Sequence, residues 1–255
     1  MKHLRICLGI AAIFVLAGCA GINEELYPAD ITLSKLEAKI EKATDPEGHY
    51  ARSNTSVMRQ EISDSNDNSL FGSRNMRMVE VKTMKPDFFR LTTYEENEPV
   101  MALISNGRSC WIADYKKRKV KTLSDREFKR MRILSEIARP GSKLHEIFKN
   151  ISIQRSIIGE DEYYKLTCSN PGDNPLHIYI SRNTFLTTRI TGAIKTAGLT
   201  DLQYDSSLTG HSLHNGVRIP EETISTLGGE TQQSRIIYYR LNESVDPSEF
   251  RPPVF

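Results

Sequence analysis

Apolar residues near the start of the chain recur at helical spacing. They occupy every third or fourth position at Leu33, Leu36, Ile40 and Ala43, with lysines and glutamates between them. Such a stripe predicts an amphipathic helix that buries one side. The Pro and Gly at 45–48 end this helix.

Beyond this helix the pattern changes to that of strands. Short runs rich in β-branched and aromatic residues fill most of 49–123 and 151–241. Asn106-Gly107, between two such runs, is a strong hairpin signal. Sequential runs joined by short turns predict one antiparallel sheet of about eleven strands.

Helical spacing returns between the two groups of strands. It predicts a helix from Asp125 to the Arg-Pro-Gly turn at 139–141, and a second short helix over 143–149. The predicted buried side of the first carries Phe128, Met131, Leu134 and Ala138. Because a long sheet twists and curls, we expect an α+β, mostly β fold. Its curved antiparallel sheet would form a half-open β-barrel, with the helices covering the concave face.

Residues 1–18 have the pattern of an export signal. Two basic residues precede an apolar run over 6–17, which is too short to span a bilayer. The run ends Leu16-Ala17-Gly18-Cys19, which resembles a bacterial lipobox, where lipid is attached to the cysteine. The resemblance implies a lipoprotein signal peptide at 1–18, a lipidated tether at 19–30 anchored through Cys19, and one domain at 31–255. An ordinary secretory signal is the alternative.

Charge, hydropathy and cysteine content limit the partners and the compartment that fit this chain. Without Lys2 and Arg5, 32 basic residues face 32 acidic ones, so no net field favours nucleic acid. No later stretch is apolar for long enough to span a membrane. In the oxidising periplasm Cys110 and Cys168 either form a disulfide or remain buried thiols, and the sequence leaves both open.

The sequence offers no constellation that catalysis or metal binding requires. His211 and His214 lie three residues apart, but a metal site needs about three protein ligands and no third is evident. The chain has no Gly-x-Ser-x-Gly nucleophile turn and no glycine-rich phosphate loop. We therefore expect no enzyme, no metal and no cofactor.

Several short motifs follow one another in a recognisable order. They are Lys85-Pro86-Asp87-Phe88-Phe89-Arg90-Leu91, Ser105-Asn106-Gly107-Arg108, Trp111, Asp114-Tyr115, Leu241-Asn242, Val245-Asp246, Phe250 and Pro252-Pro253. Together they resemble the lipoprotein carriers and receptors of the Lol system, LolA and LolB. The resemblance implies a half-open barrel whose apolar cavity receives the acyl chains of lipoproteins.

The resemblance also assigns roles to residues. Phe89 would line the cavity, and Leu91 takes the site of a family aromatic. Lys85 matches an arginine that locks the lid in the carrier, but a lysine lacks its planar fork. The residues expected to line the cavity are Phe89, Leu91, Met101, Leu103, Trp111, Met131, Leu134 and Phe148. Without the resemblance, the simpler interpretation is that these residues form an ordinary closed core.

The densest basic run is Lys116, Lys117, Arg118 and Lys119. It is a candidate contact for anionic lipid headgroups. A solvated hairpin tip is the simpler interpretation.

We expect a periplasm-facing lipoprotein that binds lipoprotein acyl chains or other lipid and carries or receives them at the outer membrane. It would contact the membrane through Cys19, with a periplasmic carrier or an inner-membrane transporter as candidate partners. Ala20 follows the anchor, where an aspartate would signal inner-membrane retention in enteric bacteria. The alternatives are an envelope-stress regulator similar to RseB and a structural lipoprotein without a ligand.

Overall fold

A large antiparallel sheet accounts for most of the structure, a computed structural model that describes residues 23–64, 76–137, 139–195 and 201–255. Its strands and those of a separate hairpin are β1 (Glu24–Pro28), β2 (Thr55–Asp64), β3 (Met76–Met84), β4 (Phe88–Glu95), β5 (Glu98–Asn106), β6 (Cys110–Asp114), β7 (Lys119–Leu123), β8 (Asn150–Ile158), β9 (Asp161–Ser169), β10 (Leu176–Ser181), β11 (Thr187–Lys195), β12 (Asp201–Thr209), β13 (Ser212–His214), β14 (Val217–Ile219), β15 (Glu222–Leu227) and β16 (Glu230–Leu241). The helices are α1 (Leu33–Thr44), α2 (His49–Arg52), α3 (Asp125–Ile137) and α4 (Leu144–Ile147), with a 3₁₀ turn at Pro247–Phe250.

The order of strands in the large sheet is β1-β8-β9-β10-β11-β12-β15-β16-β2-β3-β4-β5-β6-β7. The first and last strands of this order each have one neighbour in the described residues, so the curved sheet does not close into a barrel. β13 and β14 pair only with each other. The predicted α+β, mostly β class is confirmed, with a larger number of strands than expected.

Two segments differ from the sequence prediction. Residues 24–28, predicted as tether, form β1 along the edge of β8, where Leu26 pairs with Ser156. Residues 49–52, predicted as the start of a strand, form α2. In both cases the local sequence has no clear period, and contacts with distant segments decide the conformation.

All four helices and the β13–β14 hairpin are associated with one face of the sheet, which we call the helix-bearing face. In the half formed by β8 to β12, α1 and α4 close a large core around Leu36, Leu144, Leu166 and Ile178. Where β16 meets β2, the hairpin packs Val217 and Ile219 against the sheet. The half formed by β3 to β7 is covered by α3.

The C-terminal segment covers the opposite face of β2 to β6. Phe250 is fully buried and its ring lies edge-on to Phe88, with 5.3 Å between centroids. Lys82 donates to Glu249 (2.6 Å), and Arg90 donates to the backbone carbonyl of Glu249 (2.5 Å). The sheet is therefore covered on both faces in this half.

Among the helices that the structure describes, none combines the length and apolar character needed to cross a membrane.

Candidate functional site

Helix α3 begins where the sequence provides a reciprocal cap. The Ser124 hydroxyl accepts from the backbone N–H of Glu127, and the Glu127 carboxylate accepts from the backbone N–H of Ser124. This is a capping box, which satisfies two backbone donors that a helix start otherwise leaves unpaired. The bonds from Ser124, with Lys121 nearby, hold the pKa of Glu127 at about 2. The cap fixes the start of α3 beside β7.

An aromatic contact holds α3 on the sheet. Phe89 of β4 and Phe128 of α3 are 5% and 6% exposed, and their rings lie edge to face with centroids 6.4 Å apart. The Arg132 guanidinium lies 5.4 Å from the Phe89 ring and 5.0 Å from the Phe128 ring, within cation–π range. Arg132 also pairs with Glu136 at 2.7 Å. A buried cation is thus enclosed between two aromatic rings and a carboxylate.

Helix α4 contacts both α1 and α3. The Glu37 carboxylate accepts from the backbone N–H of His145 (3.0 Å) and contacts the Nδ1 atom of the same residue (2.8 Å). Leu144 and Phe148 are buried in the core around α1. Ile137 of α3 is buried in the same core, and Ile133 packs against it, so α1, α3 and α4 share this core.

A cleft of about 1010 Å³ lies between α3, α4 and the hairpin that joins β5 to β6. Its buried or half-buried apolar lining consists of Cys110, Phe128, Ile133 and Ile147. Its mouth carries exposed charged side chains of both signs from several segments. This volume is at the upper end of the range of ligand pockets, about 300–1,000 Å³. An apolar floor below a polar mouth suits a ligand with a hydrocarbon part and a polar head.

Comparisons with known proteins bear on the fold. Over 87% of this chain and 98% of the other, the structure is similar to a LolA superfamily protein from Nitrosomonas europaea, at TM-score 0.58 and 12% identity. It is also similar to a DUF1329 family protein from Desulfovibrio piger, over 86% of this chain and 95% of the other, at TM-score 0.59 and 10% identity. This chain has the LolA-like fold.

A third structure agrees with this result. A domain from Vibrio parahaemolyticus, assigned to outer membrane lipoprotein sorting, aligns at TM-score 0.53 and 11% identity over 84% of this chain and 97% of that one. At such identities the likeness shows the fold alone. A scan against protein-family models found no match, and neither did a search of the curated proteins.

In this LolA-like fold, several of the predicted cavity residues belong to the cluster under α3. Phe89 and Leu103 are buried there with Cys110 and Phe128, while Leu91 is half-buried at its edge. Met101 is 49% exposed. The register aligns Leu91 with Leu103 and Leu103 with Ile112, which places these three side chains in one row on the helix-bearing face.

The structure places two other predicted residues elsewhere. Trp111 is in register with Ile104, one residue away from the Leu103 row, so it lies on the opposite face with Ala102 and Ala113. Phe148 is buried in the core around α1, which also contains Ile137 of α3, and not in the cluster of Phe89 and Phe128. The structure therefore does not bring Trp111 and Phe148 together with Phe89 and Leu103. The side chains of Met131 and Leu134, like Cys19, lie outside the described part.

Lys85 and the basic run, which were predicted to contact the lid and lipid headgroups, have partners within the protein. The Lys85 ammonium donates to the backbone carbonyl of Ala51 in α2 at 2.5 Å, so it contacts a helix other than α3 and α4. In the exposed basic run Lys116 pairs with Glu95 and Lys117 with Asp114. Lys116, Lys117 and Arg118 lie in the turn between β6 and β7, and Lys119 begins β7.

The two cysteines are free and buried in separate clusters. Burial raises the pKa of both thiols, that of Cys168 to about 12. Both shifts disfavour the thiolate, which is the reactive form of cysteine. Within the described ranges, no three His, Cys, Asp or Glu side chains are grouped so that they could hold a metal ion.

The residues that the sequence analysis missed are the polar ones at the cleft. Arg132 has an ordinary helical position among other basic residues, and no local pattern marks it as buried. Asp87 and Arg108 lie in loops at the ends of β4 and β5, whose neighbourhood becomes visible only with the register. The capping motif Ser124-x-x-Glu127 is a second local signal for the start of α3, besides the helical spacing that predicted it.

Proposed function

We propose that this protein binds the acyl chains of lipoproteins or of other lipids between the sheet and helices α3 and α4, and carries or receives them at the outer membrane while anchored through Cys19. The observation that carries the proposal is the cleft of about 1010 Å³ with an apolar floor, which adjoins the buried cluster of Phe89 and Phe128. The LolA-like fold is consistent with such an interior.

The energetics favour a hydrocarbon ligand. Each methylene group that leaves water contributes about 0.8 kcal/mol, so a sixteen-carbon chain gains on the order of 12 kcal/mol when fully buried. A binding site of this kind needs apolar area and no catalytic group. Part of the gain is offset if Phe128 and Arg132 must move off Phe89 to admit the chain, because that contact is lost.

One observation favours a structural lipoprotein without a ligand as the second candidate. Phe89 and Leu103 are already buried by their own neighbours, as they would be in a closed core. For the same reason Phe89→Glu would disrupt the core itself. Ile133 is the better test residue, because it is half-buried and lines the cleft.

The two candidates are separated by titrating the purified protein with a fluorescent sixteen-carbon fatty acid. We expect saturable binding that Ile133→Glu weakens by about tenfold or more, since the chain would contact a carboxylate. Val120→Glu is the matched control, because Val120 is 39% exposed on β7 and does not line the cleft. Absence of saturable binding, or equal loss in both variants, would support the closed core instead.

A further inference from the structure

The mouth of the cleft combines positive and negative side chains from separate segments. Positive ones come from the β5–β6 hairpin (Arg108), from α3 (Lys129), and from the segments on either side of α4 (Lys143 and Lys149). In the described part of the chain these four cations make no ion pair. They are therefore available to an incoming anion.

Carboxylates adjoin these cations. Asp87 lies against the β5–β6 hairpin: a Cβ on Gly107 would be 3.5 Å from the Asp87 Cβ, and Arg108 follows directly. Asp125 and Lys129 are four residues apart on α3, which places them on one side of the helix. Neither aspartate makes an ion pair among the residues described. The mouth thus offers two places where an unpaired carboxylate adjoins an unpaired cation.

The charged groups stand above the apolar floor within the same cleft. Asp125 and Lys129 flank Phe128, and Arg108 lies two residues before Cys110. A ligand whose hydrocarbon chain rests on Phe128 and Ile133 would hold its polar head at this mouth. A head with only a negative charge would meet the carboxylates as well as the cations, and a neutral head would leave both signs without a partner.

We propose that the cleft selects amphiphiles with a zwitterionic head, in which a phosphate or similar anion is joined to an ammonium group. The inference rests on the proposed lipid-binding function and specifies its ligand class. Arg108 and Lys129 bind the phosphate, and Asp87 and Asp125 bind the ammonium. The hydrocarbon chain lies on the floor of the cleft.

Competition with one acyl chain and varied heads tests this directly. The full protein is loaded with the fluorescent fatty acid, which is then displaced by lysophosphatidylethanolamine, by lysophosphatidylglycerol or by a monoacylglycerol of the same chain. We expect the ethanolamine lipid to displace at a concentration about tenfold lower than either other, which is the contribution of one charge-assisted hydrogen bond. Free phosphoethanolamine, which has no chain, should not displace.

Two double variants assign the roles. Asp87→Asn with Asp125→Asn should abolish the advantage of the ethanolamine lipid over the glycerol lipid. Arg108→Gln with Lys129→Gln should weaken both phospholipids and leave the monoacylglycerol unchanged. Lys35→Gln, exposed on α1 and outside the cleft lining, is the control and should change none of the three.

The outcomes separate this inference from the function on which it rests. If the fatty acid does not bind at all, the proposed function fails. If it binds but the three lipids displace it equally, or the glycerol lipid does so best, only the zwitterionic head is overturned. Displacement by free phosphoethanolamine would overturn the placement of chain and head in one cleft.

Discussion

Replacement of Phe128 by alanine removes the apolar contact between α3 and strand β4. Truncation of a buried phenylalanine costs about 3–5 kcal/mol. Phe128 is buried against Phe89 and lies under the Arg132 guanidinium, so the aromatic pair and the cation–π contact are lost with it. The side chain also borders the cleft, where water can fill the space. We therefore expect a loss near the lower end, about 3 kcal/mol.

Thermal unfolding followed by circular dichroism measures this loss. In a protein of this size 1 kcal/mol corresponds to about 2–4 °C, so the midpoint should fall by roughly 6–12 °C. Phe255→Ala is the matched control, because Phe255 is 41% exposed and contacts the Tyr115 ring from the opposite face. That control should lose less than about 1 kcal/mol. Equal midpoints for the two variants would refute the docking of α3 through Phe128.

Three further predictions follow from other parts of the fold. Gly192→Ala should destabilise the protein by about 2 kcal/mol, because the backbone there has φ of 150° and a Cβ would lie 2.6 Å from the carbonyl oxygen of Pro175; chemical denaturation measures it. Cys110 and Cys168 should resist alkylation below pH 9 in the folded protein and react once it is unfolded, as mass spectrometry of digests would show, because burial raises both thiol pKa values. Glu24→Gln should cost about 1 kcal/mol at pH 7, and the difference from the wild type should shrink as the pH falls below 4.5.

The direction of the last prediction follows from the pKa of Glu24. Burial raises this pKa, but hydrogen bonds from Lys165 (2.6 Å) and Ser156 (2.7 Å) outweigh burial and lower it below 4.5. A carboxyl with a lowered pKa in the folded state stabilises it above the unfolded value and loses this contribution as the pH falls through the folded value. A difference that grows towards acid would contradict this assignment.

The other two predictions also have internal controls. Gly159→Ala shares a positive φ, of 63°, but a Cβ there meets nothing within 4 Å, so it should cost only about 1 kcal/mol. If Gly159→Ala lowers the free energy of unfolding as much as Gly192→Ala does, the close approach to Pro175 does not contribute to the loss. Rapid alkylation of Cys168 in the folded protein would show that the core around α1 is open.

Periodicity predicted the helices better than the strands. The stripe at Leu33, Leu36 and Ile40 reappears as the buried side of α1, and the buried Phe128 lies on the predicted side of α3. β1 could not be predicted in this way, because it becomes a strand by pairing with β8, more than a hundred residues away. Its own sequence has little alternation.

The sequence did not show on which face of the sheet a side chain of β5 or β6 lies. Odd and even positions of β5 are both apolar. Alternation could therefore not tell whether Leu103 or Ile104, or in β6 whether Cys110 or Trp111, lies on the helix-bearing face. The register across β4, β5 and β6 decides it: Phe89, Ser105 and Cys110 share one face, and Trp111 has the other. The polar mouth of the cleft depends on the same long-range placement and has no local signal.

Photo-crosslinking with a fatty acid that carries a diazirine at the end of its chain tests the central claim most directly. After irradiation and digestion, we expect labelled peptides from the floor of the cleft, around Phe128, Ile133 and Cys110, and competition by unlabelled fatty acid. Labels around Trp111 and Tyr115 on the opposite face, or labelling that competitor does not reduce, would contradict an acyl site between the sheet and α3.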